Sequence, residues 1–132
     1  MKPLFLALVG AIFFLPMVSF SAGIESEASE IQEDAEGIIS SFSEGNDTAM
    51  CFNLGSVRAQ IRGVQLRLLT KETLDTLEKF ANKEYHQAEG ATVIPVSYCL
   101  NRTNVERNTL RGPLNEIGHH LSLISGIEWQ DQ

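Results

Sequence analysis

The sequence predicts a mostly α-helical domain of four to five helices pinned by one disulfide. Three observations carry that reading. Apolar residues recur at alternating spacings of three and four over most of the chain, as one face of a helix requires. Two cysteines follow an export-type N-terminal segment, and 132 residues suffice for one hydrophobic core but not for two. The alternative is an α+β fold with a short antiparallel sheet, drawn from residues 56–69 and 91–100.

Residues 1–21 read as a signal peptide. Lys2 supplies a positive start, Leu4 to Leu15 an apolar run broken only by Gly10, and Ser19, Ser21, Ala22 and Gly23 a small-residue exit after Pro16. Cleavage is expected after Ser21, with Gly23 as the second choice. The apolar run is shorter than the roughly 20 residues a bilayer needs. The expected product is therefore a soluble protein, periplasmic or secreted, with no membrane association after cleavage.

Residues 22–47 form the next unit, an acidic amphipathic helix. Ile24, Ala28, Ile31, Ala35, Ile38 and Phe42 make a narrow apolar stripe, and Ser43, Gly45 and Asn46 end it. Between Ile24 and Asp47 stand eight acids and no base, whereas the chain from Thr48 onward has nine of each. The net charge of −7 is thus the property of one segment. An acidic balance excludes nucleic acid as the main partner, since no basic surplus exists to displace counterions. It favours another protein with a basic surface, met by Glu25, Glu27, Glu30, Glu33, Asp34 and Glu36.

Residues 48–132 form the disulfide-pinned body. Met50, Leu54, Val57, Ile61, Val64 and Leu68 give a second helical stripe, although Val57–Arg62 and Val64–Leu68 also alternate as a bulged strand would. Good helix formers dominate there, which favours helix; Gly55 and Gly63 would then let another helix approach closely. Thr70 is read as the N-cap of a third helix, with Glu72 in its first turn. Its apolar positions are Leu74, Leu77, Ala81 and Tyr85, with Phe80 alongside, and it ends near Gly90. Val93, Ile94 and Val96 lean toward strand, while Pro95 either blocks a central strand or starts a short helix carrying Cys99. Pro113 opens the last helix, whose stripe is Leu114, Ile117, Leu121 and Ile124 and whose stop is Gly126. Trp129 in the tail is expected to pack back on the core.

Cys51 and Cys99 are the only cysteines, and in an oxidising compartment they are expected to pair. Neither stands in a Cys-x-x-Cys motif or has a histidine at ligand spacing. Motifs of catalysis are missing: no Gly-x-Ser-x-Gly elbow, no glycine-rich phosphate loop, no His-Glu-x-x-His helix. The chain therefore reads as non-enzymatic, with no catalytic residues, no metal and no cofactor. The one cluster to weigh against this is Glu116 with His119 and His120 at i+3 and i+4, joined by His86 in a metal-binding or hydrolase alternative. The sequons at Asn46 and Asn101 matter only in a eukaryotic host.

Two resemblances bear on function. The segment Ala91-Thr92-Val93-Ile94-Pro95-Val96-Ser97-Tyr98-Cys99, with the signal peptide and two cysteines 48 positions apart, resembles the HdeA-type periplasmic acid-stress chaperones. That resemblance implies a small helical domain that opens in acid, although the acidic helix before Cys51 is extra to the pattern. Cys51 before a glycine-containing helix, then Tyr98-Cys99-Leu100 and a last helix, is similar to the Tai-type immunity proteins directed against type VI secreted amidases. That one implies a protein that binds another protein. Asn101 stands where those proteins carry proline.

Overall fold

The structure, a computed structural model, describes residues 20–101 and 104–132. The segment read as a signal peptide lies, up to residue 19, outside the described residues, as do Arg102 and Thr103 of the second sequon. Five α-helices and one 3-10 turn are described: α1 Phe20–Ser43, α2 Asp47–Leu69, α3 Thr76–Ala91, α4 Val93–Asn101, the turn Arg107–Leu110, and α5 Arg111–Ser125. Among the described residues there is no strand. No described helix is long and apolar enough to cross a membrane.

Four of the helices make an antiparallel bundle in which α1 and α3 each lie between α2 and α5. Side-chain pairs fix the directions. Glu27 of α1 meets Arg67 of α2, Lys71 just beyond α2 meets Glu78 of α3, and Ser125 of α5 meets Gln32 of α1. The short α4 lies against α2 and is bridged to it by Cys51–Cys99, with Cα atoms 5.8 Å apart.

The expected stripes are the core. Ala28, Ile31, Ala35, Ile38 and Phe42 of α1 are buried, and so are all six stripe residues of α2. Leu114, Ile117, Leu121 and Ile124 close the third wall, and α1 shares a single hydrophobic cluster with residues 48–132. At about 1.5–3 kcal/mol for each buried large apolar side chain, these stripes, and not intrinsic helix propensity, hold the bundle together.

Several local expectations are corrected. The strand alternative for 56–69 and 91–100 gives way to helix. In α2 the period-2 pattern left Arg58, Gln60 and Arg62 outside the core anyway, while the 3.6 period buries every apolar stripe residue. Gly55 and Gly63 are exposed and no neighbouring helix approaches them. Thr70 ends α2 instead of opening α3: its N–H bonds the Leu66 carbonyl and its hydroxyl donates to the Arg67 carbonyl at 2.8 Å. The N-cap of α3 is Asp75. Its carboxylate accepts from the Glu78 N–H at 2.7 Å while Glu78 accepts from the Asp75 N–H at 3.0 Å, a complete capping box. Phe80 stays 40% exposed. Pro95 falls in the first turn of α4 and Pro113 in that of α5, where a missing N–H costs nothing. Gly126 ends α5 at φ 79°, a left-handed C-cap that favours glycine.

The tail beyond Gly126 folds back along α5. Trp129 is buried and its Nε1–H donates to Asn115 Oδ1 at 2.9 Å. The indole lies on Gly118 so closely that a Cβ there would stand 2.2 Å from a ring carbon. Gln32 Nε2 donates to the Ile127 carbonyl at 3.0 Å, and Arg111 Nη1 donates to the Gln132 carbonyl at 2.6 Å.

Candidate functional site

Helix α1 buries one face and turns its carboxylates outward. Because Ala28, Ile31, Ala35, Ile38 and Phe42 are buried in the single core cluster, and α1 packs on both α2 and α5, the acidic face is held by the bundle. From Glu25 to Glu36 the carboxylates span about 16 Å of helix at 1.5 Å per residue. They divide into two flanks. On the side of α2, Glu27 and Glu30 border a shallow groove with Gln60, Gly63 and Arg67. There Glu27 pairs with Arg67, and Asp34 accepts from Gln60 Nε2 at 2.8 Å. On the side of the tail, Glu33 and Glu36 border a second groove with Ser29, Gln32 and Ile127.

Arg67 is the one basic side chain that pairs with the Glu25–Glu36 run among the described residues. Glu25, Glu30, Glu33 and Glu36 are exposed and Asp34 has only an amide partner. The result is five carboxylates that form no ion pair among the described residues, on a helix that contains no basic residue. Such a face raises the local concentration of cations and steers basic surfaces toward it.

The cluster proposed at Glu116 does not assemble. His119 Nε2 lies 2.7 Å from Asp131 Oδ1 in the folded-back tail, and His120 Nδ1 lies 2.8 Å from Glu84 Oε1 on α3. Glu116 is exposed and bonds neither, while His86 is exposed on α3. Adjacent residues on a helix point about 100° apart, so the two imidazoles face different neighbours. Among the described residues no three His, Cys, Asp or Glu side chains group to hold a metal ion.

A second polar site lies where α1 turns into α2. Asp47 accepts from the Tyr98 hydroxyl at 2.6 Å and from Arg107 Nε at 2.9 Å, and Arg107 also donates to the Phe42 carbonyl. The guanidinium carbons of Arg107 and Arg111 stand 4.4 and 5.0 Å from the centre of the Phe42 ring. This network joins α1, α2, α4 and α5 beside the Cys51–Cys99 bridge and is structural in character.

At the opposite end, a cavity of about 370 Å³ opens between α1, α2 and α3. Ile24, Val64, Leu68, Ala81 and Tyr85 line it, with the Glu27–Arg67 and Lys71–Glu78 pairs around them. Lys71 and the backbone N–H of Asp75 hold the Glu78 carboxyl below the usual carboxylate range. Arg62, 2.6 Å away, does the same to Glu89. Burial, reinforced by the Glu27 carboxylate, makes the Tyr85 hydroxyl a much weaker acid than free tyrosine.

Sequence reasoning missed the cavity, the Glu84–His120 pair and the role of Gly118. The Asp75-x-x-Glu78 capping box was legible as a spacing. Residues 36 apart, such as Glu84 and His120, leave no local signal. The chain matches no family model, no curated protein and no solved structure.

Proposed function

We propose that this chain is a small exported, non-enzymatic protein that binds another protein through the outer face of α1, as an immunity protein or inhibitor does. The observation that carries the reading is the run of five carboxylates without ion-pair partners on a helix buried along one face from Ala28 to Phe42. A charged face pre-set on a rigid helix loses little conformational entropy when a basic partner docks. The formed Cys51–Cys99 bridge supports export, because disulfides persist in oxidising compartments.

The test is affinity capture from periplasmic extract with the unaltered protein and with a variant carrying Glu25→Gln, Glu30→Gln, Glu33→Gln and Glu36→Gln. The reading expects a partner with a basic surface that is retained at low salt, released by raised salt, and lost by the variant. A partner held equally by both proteins refutes the role of the acidic face.

A second reading, an acid-stress chaperone, is favoured by one observation. Glu78 and Glu89 tie α3 to the α2 side through Lys71 and Arg62, and both carboxyls are held below their ordinary range. Strong acid would protonate both and loosen α3. That reading expects binding of an apolar dye and loss of near-ultraviolet circular dichroism at about pH 2–3. A compact, dye-free monomer under those conditions excludes it.

A further inference from the structure

We propose that the outer face of α2 is a self-association surface, on which a second copy of this chain docks its own α2 in the antiparallel sense to form a reversible two-fold dimer. Helix α2 is apolar on two sides. Its inner stripe is buried, yet Phe52, Leu66 and Leu69 on its remaining surface are 76%, 62% and 80% exposed. Phe52, Gly55, Ala59, Gly63 and Leu66 recur every three or four residues, a second stripe turned away from the bundle. All five are exposed, and nothing in the chain stands within 4 Å of a Cβ built on Gly55 or Gly63. The arginines that flank the stripe, Arg62 and Arg67, are already paired with Glu89 and Glu27. A continuous apolar strip of this kind on a folded chain marks a contact surface.

The order of these residues selects the occupant. Phe52 and Leu66 stand seven positions either side of Ala59, and Gly55 and Gly63 stand four. The stripe therefore reads the same in both directions, large at its ends and small between them. Reversing a second α2 about Ala59 sets Phe52 against Leu66 of the partner subunit and Gly55 against Gly63 of the partner subunit. A two-fold contact requires such self-complementarity, which a face built for a different protein does not. The small residues at the centre let the helix axes approach to the short end of the 8–10 Å range, so that the large ones overlap. The same reversal carries Leu66 over a groove of about 480 Å³ on the other copy, bordered by Cys51, Gly55, Ala59, Val96 and Leu100. From Phe52 to Leu69 the face is about 26 Å long and about 10 Å wide. With Leu100, 83% exposed at its edge, it buries on the order of 500 Å² per copy, short of the roughly 800 Å² of a standard stable interface. The dimer is therefore weak and reversible, and each copy keeps its own core without it.

Sedimentation of the protein exported under its own N-terminal segment, from about 1 μM to about 1 mM, reads the association without a variant that has to fold. A monomer–dimer equilibrium is expected. Leu66→Glu, which enters a two-fold contact twice, weakens it by at least about tenfold. Leu123→Glu, on the exposed side of α5, leaves it unchanged. Cross-linking locates the axis. Ala59→Cys joins two copies under mild oxidation. Phe52→Cys does not join itself, because its two positions stand about 21 Å apart along the seam, but it joins Leu66→Cys when the two variants are mixed. A monomer at every concentration leaves the face to a different protein and overturns the proposal. So does a dimer as tight in Leu66→Glu as in the unaltered protein, or Phe52→Cys cross-linking to itself as readily as Ala59→Cys. The outcome is independent of the protein-binding reading, which concerns the outer face of α1.

Discussion

The two ends of α2 are built differently. At its start, Cys51 is bonded covalently to α4, and Asp47 gathers Tyr98 and Arg107 into a network that reaches α1 and the turn before α5. The tail extends this end further, since Gln132 returns to Arg111, which stands over Phe42. At its finish, α2 is held to α1 and α3 by side-chain ion pairs, with a cavity between them. One end is cross-linked. The other adds to its share of the core, Val64, Leu68 and Tyr85, ion pairs that acid neutralises and salt screens. A bundle arranged this way is tied covalently at one end and carries salt-sensitive contacts around a cavity at the other.

The largest effect should come from the cross-linked end. Replacing Cys51 and Cys99 with alanine frees a loop of 48 positions and should cost about 4 kcal/mol in the chain-entropy account, measured by urea unfolding. A loss below about 1 kcal/mol would show that the Asp47 network holds this end unaided.

Next comes the tail. Gly118→Ala places a Cβ inside the Trp129 ring, and a rigid indole in contact with α5 cannot yield locally. The substitution should cost about 1–3 kcal/mol, with Trp129 emission shifting to the red as the indole becomes solvated. Unchanged emission would mean the ring slides along α5 without leaving it.

At the open end the expected signs differ. Tyr85→Phe removes a buried hydroxyl that has no partner and should stabilise the protein by about 1 kcal/mol. Because the folded state holds the Tyr85 proton more tightly than the unfolded chain, the unsubstituted protein should lose stability as pH rises above about 10, and the variant should lose less. For Glu78 and Glu89 the sign reverses. Their folded-state carboxyls bind protons more weakly than in the unfolded chain, so the stability they add at neutral pH should disappear as pH falls through about 4 and below. Thermal melts across both limbs check the two directions.

The smallest effect is Arg67→Gln. Arg67 and Glu27 are both more than one third exposed, so breaking their ion pair should cost under about 1 kcal/mol, and the difference should vanish in 1 M salt. A larger loss would place this end on the same footing as the disulfide end.

Much of this arrangement was legible along the chain. The stripes of α1, α2 and α5 were read residue by residue, because a 3.6 period repeated over 15 to 24 residues is a strong local signal. The stop at Gly126 and the pairing of two cysteines were also local or arithmetical inferences. The start of α3 was misread because Thr70 and Asp75 are both good caps, and only Asp75 has a glutamate three positions on. The Glu116 cluster stood only as an alternative, because spacing on a helix states who can meet within that helix. It is silent about the competing partners that Asp131 and Glu84 turned out to be.

The sequence by itself determined the helical class, which face of each helix is buried, and the concentration of negative charge before Thr48, because each of these follows from periodicity or composition. Tertiary structure alone decided that α1 packs into the same core as the rest, that Trp129 needs glycine at position 118, and that a cavity with an unpartnered Tyr85 hydroxyl remains between three helices. Those outcomes depend on how faces from distant segments fit against one another. Fit is a property of shapes brought together in space, and no window along a single chain contains both of them.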